Sequence, residues 1–298
     1  IALSSVLLAA CSSSSNSPRA VDASPARNDN GSIVTGTIGA RFDPTAGVLP
    51  FPINLLLSGT RDLTLNPPVA NPNNFNDPAV ALSALDGFST TAPWSFSLSA
   101  APNVATLVAG QSIRVFEVTL SGPGGGVTGV VRELASPAEF VVARSASDTT
   151  GRTVGIVPTA PLKPLTSYMA VVTDDVRDAA GNDATPDTTY FLTQRTSPLS
   201  TGAGAACVSN DPLLPRANAC ALEPLRQLTN AQEVAAASRG IPRADIVLSW
   251  VATTQSTATV FQAIQSITRA STATLAPTGL NISVAGAGVP PIADIFIG

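Results

Sequence analysis

The segment PLKPLTSYMAVVTDDVRDAAGN, residues 161–182, carries the strongest fold signal of this chain. Its run SYMAVVT at 167–173 has the length and the β-branched content of a strand, and polar or proline-rich stretches bound it on both sides. The DAAGN stretch at 178–182 predicts a tight turn, in which Gly181 takes a positive φ at no steric cost. We expect Tyr168 to put its ring in the core and to hydrogen-bond its hydroxyl to nearby backbone.

Further runs of strand length lie on either side of this segment. They are SIRVFEVTL, GVVREL, EFVVARS, TVGIVP, SYMAVVT and TYFLTQ, all between Trp94 and Thr196. Such runs at close spacing predict a β-sandwich. The 161–182 segment resembles the penultimate strand, turn and final strand of a bacterial Ig-like domain. We therefore expect a mainly β chain with an Ig-like β-sandwich over residues 94–197.

The composition excludes several classes of function. The chain has 298 residues, of which 44% are hydrophobic and 12% charged, with a formal net charge of −4. Lys163 is its one lysine, so no cluster of cations is available to displace counterions from nucleic-acid phosphates. Since histidine is absent, neither a Ser-His-Asp triad nor a histidine-bearing zinc or iron site can be built from these residues. We expect no nucleic-acid partner, no cofactor and no bound metal.

The opening residues predict export and a lipid anchor. Residues 1–10, IALSSVLLAA, have the length of a signal-peptide h-region, and because no methionine or basic region precedes them we expect a truncated signal peptide. Leu8 to Cys11 matches a bacterial lipobox, so Cys11 is predicted to carry lipid chains that hold the protein in a membrane. Residues 11–30 are Ser-rich and predict a flexible tether. Ser12 after the cysteine favours an outer-membrane lipoprotein of the cell envelope; the alternative is a cysteine in an ordinary secretory signal.

Irregular sequence fills residues 31–93. Within it, VLPFPINLLLSG predicts one strand with prolines near its start, where a missing N–H is tolerated. The stretch DPAVALSALDGF predicts a short helix, because Asp77 is a good N-cap, Pro78 suits the first helical position and Gly87 follows the apolar residues. We expect an irregular N-terminal β segment.

Residues 198–298 predict a mixed α/β segment. The stretch NAQEVAAASRG predicts a helix with Asn230 as N-cap, Glu233 completing a capping box and Gly240 ending it. ADIVLSWVAT follows as a buried strand, and QSTATVFQAIQSITR as a helix with Val260, Ile264 and Ile267 on one face. The last residues are apolar and form no closing element, so the C-terminus is also expected to be cut.

Two cysteines lie in the loop CVSNDPLLPRANAC. In an oxidising compartment Cys207 and Cys220 are expected to pair, which would stabilise the fold by about 3 kcal/mol in the chain-entropy model. Free buried thiols are the alternative. Redox catalysis is not expected, because the spacing is far wider than C-x-x-C.

Other candidate sites are weaker than their structural alternatives. Ser89 in GFSTT lacks the second glycine of a nucleophile elbow, and Lys163, the base of any Ser-Lys dyad, lies between prolines in a turn. Gly122–Gly129 precedes a strand and lacks the end of a phosphate loop, which favours a mobile hairpin loop. We assign no catalytic residue. The acidic residues between the strands are more often solvated than calcium-binding; they are Asp174, Asp175, Asp178, Asp183 and Asp187.

The two tryptophans are best interpreted as core residues. Trp94 follows Pro93, and a carbohydrate-binding platform is its alternative role. Trp250 lies within an apolar run, where burial is expected.

Several phrases in order resemble one family. They are LPFPINLLLSGTRDLTLNPP, ALSALDGFSTTAPWSFSLS, LTSYMAVVTDDVRDAAGN and ADIVLSWVATTQST, with residues 85–90 and 249–256 the most specific, whereas Leu63 stands where glycine is expected. Together they resemble the N-terminal region of the bacterial virulence-factor lipases. The resemblance implies a surface lipoprotein whose chain continues into an α/β-hydrolase domain that carries the triad. Residues 1–298 would then be its anchor and accessory region.

The resemblance also implies the partners. They are the membrane, through the lipid anchor, the chain's own downstream hydrolase domain, and lipid substrate. A non-enzymatic Ig-like surface lipoprotein that serves adhesion or scaffolding is the alternative.

Overall fold

The computed structural model describes residues 27–58, 64–65, 69–83, 85–269, 274, 276–281 and 294–297. The predicted signal peptide, Cys11, nearly all of the tether and Leu63 lie outside the described residues. The strands are β1 (Ile38–Ala40), β2 (Trp94–Ser97), β3 (Ile113–Leu120), β4 (Val127–Glu133), β5 (Phe140–Arg144), β6 (Thr153–Pro158), β7 (Ser167–Thr173), β8 (Ala184–Pro186), β9 (Ser200–Thr201), β10 (Val208–Ser209), β11 (Ile246–Thr253), β12 (Ala276–Asn281) and β13 (Asp294–Ile297). The helices are α1 (Pro78–Leu82), α2 (Thr188–Thr193), α3 (Arg216–Ala237) and α4 (Thr259–Arg269), with short 3-10 turns at Asn54–Leu57, Val104–Thr106, Gly204–Ala206 and Arg243–Asp245.

Two antiparallel sheets form the sandwich. One has four strands in the order β11-β7-β3-β4, and the other has three in the order β2-β6-β5. Five of the six predicted strand runs form β3 to β7, which confirms the mainly β fold class. Three two-stranded pairs lie outside these sheets: β1 with β8, β9 with β10, and β12 with β13.

Aromatic side chains fill the space between the two sheets. The Trp250 ring of β11 lies 6.3 Å from the Trp94 ring and 5.8 Å from the Phe96 ring, both on β2. All three side chains are buried. Strand β7 is buried at six consecutive positions because elements cover both faces of the sheet, which explains why its sequence is apolar without alternation.

The predicted turn and tyrosine position are confirmed. The Tyr168 ring is buried, and its hydroxyl accepts a hydrogen bond from the Lys163 backbone N–H at 3.0 Å. Burial raises the pKa of the Tyr168 phenol. In the turn, Gly181 has φ of 84°, and the Asp178 carboxylate accepts from the Ala180 and Asn182 backbone N–H groups.

The run TYFLTQ is a helix and not the predicted strand. Asp187 caps α2 by accepting from the Thr189 N–H at 3.0 Å, and the Phe191 N–H donates to the Asp187 carbonyl at 2.8 Å. Tyr190 and Thr193, three residues apart, are buried together, which is a helical spacing. The aspartate cap therefore outweighed the strand propensity of the aromatic and β-branched residues.

The stretch VLPFPINLLLSG is also not one strand. Phe51 pairs with Ser95 as an isolated bridge, after which the chain turns into the 3-10 segment Asn54–Leu57. The Asn54 side chain holds this turn against β11 by bonding twice to Thr253, donating to its hydroxyl at 2.9 Å and accepting from its N–H at 2.8 Å. A residue 199 positions away in sequence thus holds the turn in place.

The predicted capping box at Asn230 is wrong. Helix α3 begins at Arg216, so Asn230 lies far inside it, and its amide donates to the Thr193 and Arg195 carbonyls. The predicted stop is confirmed, because α3 ends at Ala237 and Gly240 has φ of 79°.

The buried strand predicted from ADIVLSWVAT is β11, and it lies in the four-stranded sheet beside β7. The sandwich was predicted to end at residue 197, but β11 lies beyond that boundary. A strand of the predicted C-terminal α/β segment therefore belongs to the sandwich. The short helix after Asp77 and the helix over QSTATVFQAIQSITR are present as α1 and α4. No helix in the described ranges combines the length and apolar character that a bilayer crossing requires.

Candidate binding cavity

A cavity lies where helix α3 crosses β11. Its other walls are the 3-10 segment Asn54–Leu57 and the glycine turn between β3 and β4. Its interior offers about 40 Å³ to the centres of water-sized molecules, within a wider depression of about 460 Å³ that includes open solvent. Leu225, Leu228 and Gln232 of α3 line it; their spacing of three and four residues puts them on one helix face. Phe42 and Leu55 form the opposite apolar wall, and no described residue that lines the cavity is charged.

A chain of hydrogen bonds holds the polar side of the cavity. The Ser249 hydroxyl donates to Gln232 Oε1 at 2.8 Å, and the Tyr190 hydroxyl lies 2.7 Å from Ser249 Oγ. Because a hydroxyl has one proton, Ser249 uses its own on Gln232, and Tyr190 donates to Ser249, the nearer acceptor, with Glu233 Oε1 3.4 Å from the Tyr190 hydroxyl. The Gln232 carbonyl is thereby occupied, whereas its amide N–H groups bond to no described residue.

The glycine turn needs its glycines for steric reasons. The Ser121 N–H donates to the Gly126 carbonyl at 2.9 Å, which closes the hairpin. A Cβ at Gly125 would overlap the Ser121 hydroxyl, and one at Gly126 would come within 3.2 Å of Ala231 on α3. The hairpin predicted at Gly122–Gly129 is therefore confirmed, but its turn packs against α3, and its predicted mobility stays a prediction.

A buried carboxylate lies on the far side of the polar chain. Glu233 is fully buried, with Oε1 accepting from Gln194 Nε2 at 2.7 Å and Oε2 2.6 Å from Arg243 Nη2. Burial raises the pKa of the Glu233 carboxyl, against the opposing effects of its donors. Arg243 also donates to the Gln194 carbonyl and to Asn230, so this ion pair joins α2, α3 and the turn before β11.

The weak catalytic candidates have structural roles. The Ser89 hydroxyl accepts from the Thr91 and Ala92 backbone N–H groups, which shapes the turn before β2. Lys163 Nζ lies 2.9 Å from both Glu117 carboxylate oxygens. Neither arrangement resembles an activated nucleophile with its base.

The acidic residues for which calcium binding was the weaker alternative are spread over separate roles. Asp178 shapes the turn, Asp187 caps α2, and Asp183 lies 2.6 Å from Arg177 Nε. Burial, followed by the charges of nearby carboxylates, raises the pKa of Asp174 to about 7. Among the residues that the structure describes, no group of three or more acidic or cysteine side chains is arranged to hold a metal ion.

Trp94 and Trp250 lie in the core, as expected, and an exposed platform at Trp94 is wrong, since its side chain is buried by the other sheet. Both indole N–H groups are buried without a hydrogen-bond partner in the described part of the chain. Trp250 also lines the cavity.

Cys207 and Cys220 form a disulfide, with Cα atoms 6.2 Å apart. Cys220 lies in the first turns of α3, and Cys207 precedes β10. The bond therefore joins the loop after the sandwich to the helix that walls the cavity.

The two most specific phrases of the family resemblance meet in the fold. Phe88 and Thr254 form a parallel bridge, with the Phe88 N–H donating to the Thr253 carbonyl at 2.9 Å. The Asp86 carboxylate accepts from the Ser256 N–H at 2.9 Å. A Cβ on Gly87 would come within 2.6 Å of the Thr254 backbone, so a glycine is required there.

Sequence reasoning missed the cavity residues. Ser249 was noted only as part of the 249–256 phrase of the family resemblance, without a role in a cavity, and Gln232 carried no signal beyond its place in a helix. Both acquire their roles when α3 is packed on β11.

The two packed antiparallel sheets are of the kind found in Ig-like domains, and a comparison with protein families gives the same class. A family model described as a bacterial Ig-like domain matches residues 88–194, so the chain contains a bacterial Ig-like domain. No curated protein matches the chain.

Solved structures of the S-layer protein SbsC show a limited likeness. The crystal structure of a long SbsC fragment is 13% identical, with a TM-score of 0.21, and the match covers 33% of this chain and 11% of that chain. The N-terminal part of the bacterial S-layer protein SbsC is 15% identical with the same TM-score, and covers 33% of this chain and 19% of that chain. This chain thus spans a small share of either length.

Proposed function

We propose that residues 1–298 are the anchor and spacer region of a bacterial cell-envelope lipoprotein, with the Ig-like domain holding a following catalytic domain away from the membrane. The phrases that resemble the virulence-factor lipases support a lipase or esterase as that following domain. The Ig-like match over residues 88–194 supports an extracellular or cell-surface role.

The course of the chain carries the spacer proposal. Residues at the end of the predicted tether lie at one end of β11 and β7, where the Asp29 N–H donates to Asp183 at 2.7 Å and the Asp174 N–H donates to the Asp245 carbonyl at 2.9 Å. The chain leaves β11 toward α4 at the opposite end, beside Ser167. The strand between these ends has 8 residues, which span roughly 25 Å.

The spacer geometry is testable by electron spin resonance. Spin labels on Asn30→Cys and Thr257→Cys, both exposed positions, are attached in a background with Cys11 replaced by serine. We expect one narrow distance distribution at roughly 25–35 Å, set by the length of β11. A broad distribution, or a main peak well below this range, would contradict a rigid spacer.

The anchor and the lipase link are tested separately. The Cys11→Ala chain, expressed in a Gram-negative host, should leave the membrane fraction and lose metabolic labelling by palmitate, with Ser12→Ala as the matched control that retains both.

The gene beyond Gly298 should encode a G-x-S-x-G strand-turn-helix, and residues 1–298 alone should not hydrolyse p-nitrophenyl butyrate. A gene without such a domain would favour the adhesion or scaffolding role.

A further inference from the structure

We propose that the cavity between α3 and β11 binds a small neutral molecule that carries one hydrogen-bond acceptor, such as a carbonyl oxygen, on a short hydrocarbon body. This site is independent of the spacer role, because it uses neither the anchor nor the two ends of the sandwich.

The absence of charge around the cavity selects a neutral ligand. No described lining residue is charged, and the buried carboxylate Glu233, next to Gln232 in sequence, is already paired with Arg243. A carboxylate or ammonium entering the cavity would lose its hydration without gaining a counter-charge. The walls of Phe42, Leu55 and Leu225 match a hydrocarbon body.

The free hydrogen-bonding groups select an acceptor on that ligand. Gln232 uses its carbonyl on Ser249 and keeps two N–H donors for the cavity that it lines. Of the other polar side chains in the wall, Asn54 bonds to Thr253 and Thr229 to Thr193, whereas the Trp250 indole N–H has no partner in the described part of the chain. Side-chain donors are therefore in surplus, and an acceptor oxygen satisfies one of them.

The position of Gln232 is fixed before a ligand arrives. Tyr190 is fully buried and donates into Ser249, which in turn orients the Gln232 amide. A donor held by its neighbours loses little conformational entropy on binding, which favours recognition by a single hydrogen bond.

The experiment is a titration of the folded chain followed by nuclear magnetic resonance. The probes are 2-hexanone, hexanoate and hexylamine, and the observed signals are the Gln232 side-chain N–H pair and the Trp250 indole N–H. We expect 2-hexanone to shift the Gln232 signals with a Kd in the millimolar range or below, and both charged probes to bind at least about tenfold more weakly.

Three variants locate the binding. Gln232→Glu keeps the acceptor for Ser249 but replaces the free N–H donors by an oxygen, and should weaken 2-hexanone binding about tenfold. Gln227→Glu makes the same chemical change on the exposed side of α3 and should leave binding unchanged. Leu228→Phe fills the cavity and should abolish the shifts. Thermal unfolding by circular dichroism checks that each variant is folded.

Three results would overturn the proposal. The first is the absence of any shift with 2-hexanone at about 20 mM, since a useful site binds more tightly than that. The second is equal binding of hexanoate and 2-hexanone. The third is binding that survives Leu228→Phe in a folded protein, which would place the ligand elsewhere.

Discussion

The two faces of the four-stranded sheet make different kinds of contact: apolar ring contacts on the inner face and hydrogen bonds on the outer face. Two neighbouring residues of β11 show this difference. Trp250 points between the sheets and packs on Trp94 and Phe96. Ser249, next to it, points the other way and joins a hydrogen-bonded chain to Tyr190 and Gln232 under α3. Apolar contact is tolerant of partner identity, whereas buried hydrogen bonds require particular partners at particular distances. The inner face therefore supplies cohesion, and the outer face fixes where α3 sits and leaves a mainly apolar cavity with one polar side.

Of the changes that test the difference between the two faces, removing the Trp250 side chain should lower stability the most. Trp250→Ala should lower the free energy of unfolding by about 3–5 kcal/mol, because it leaves a cavity in the inter-sheet core. Denaturant unfolding followed by far-ultraviolet circular dichroism measures the loss. Phe261→Ala on α4, whose side chain is 73% exposed, is the control and should change stability by less than about 0.5 kcal/mol. A loss of unfolding free energy in Trp250→Ala that is no larger than the loss in Phe261→Ala would contradict the importance of Trp250 to the core.

Opening the disulfide should come next. Cys207→Ser with Cys220→Ser should lower stability by about 3 kcal/mol, since the bond closes a loop with a sequence separation of 13. Amide hydrogen exchange should show the start of α3 losing protection while β3 and β7 keep theirs. Treating the native chain with dithiothreitol is the matched control, and an unchanged midpoint there would contradict a stabilising bond.

Breaking the buried ion pair tests the outer face. Arg243→Ala should cost about 3 kcal/mol, because the fully buried Glu233 carboxylate loses its counter-charge. The loss should shrink as pH falls toward about 4, since a protonated Glu233 no longer needs a cation. Chemical unfolding at several pH values measures this. The double variant Arg243→Ala with Glu233→Gln should lose less than Arg243→Ala alone, and an equal loss would show that the pair is not coupled.

Removing one hydroxyl from the polar chain should cost less. Tyr190→Phe should lower stability by about 1 kcal/mol, because the ring stays packed and Ser249 keeps Gln232 as a partner. The Gln232 amide should also become less ordered, visible as faster exchange with water in nuclear magnetic resonance. A loss as large as that of Trp250→Ala would contradict the division between the two faces.

The pH dependence of stability should reflect the end of the sandwich where the Asp29 and Asp174 carboxyl groups lie close together. The folded-state pKa of Asp174, about 7, lies above its ordinary value, so the folded state binds the proton more tightly. Its contribution to stability is present at low pH and is lost as pH rises from about 4 to about 7.

Asp174→Asn should therefore become more stable relative to wild type as pH increases through this window. The carboxylates that raise the pKa are Asp29, Asp245 and Asp175, while Arg177 pairs with Asp175 and Asp183. Asp175→Asn removes the smallest of these carboxylate contributions, so it should narrow the pH window without abolishing it. Parallel pH profiles for wild type and Asp174→Asn would refute the assignment.

Much of the sandwich could be predicted because its signals are local. Five of six strand runs were correct, and so were the turn at Gly181 and the tyrosine position, since β-branched content and turn residues act within a few positions. The failure at TYFLTQ was also local in origin, because the Asp187 cap was visible in the sequence but the strand pattern was given more weight. The wrong prediction at Asn230 shows that a sequence of the capping-box type does not start a helix when it lies inside a longer one.

The cavity could not be predicted, for a physical reason. Gln232 and Ser249 lie 17 residues apart in sequence, and their hydrogen bond exists only when α3 packs on β11. The turn at Asn54 is held by Thr253, a partner 199 residues away. No short window along the sequence contains both partners of either contact.

The order and types of amino acids were enough to establish that this chain is mainly β, that its centre is an Ig-like sandwich, and that no histidine-based chemistry can occur within it. Periodicity, turn residues and the lack of a residue type are properties of short stretches or of composition, so they are evident without a fold. Three-dimensional packing was needed to establish that β11 extends the sandwich, that α3 covers its outer face through polar contacts, and that a neutral cavity remains between them. Those features depend on contacts between residues that are distant in sequence. A hydrogen bond between such residues contributes to stability only once the fold has brought them together and buried them.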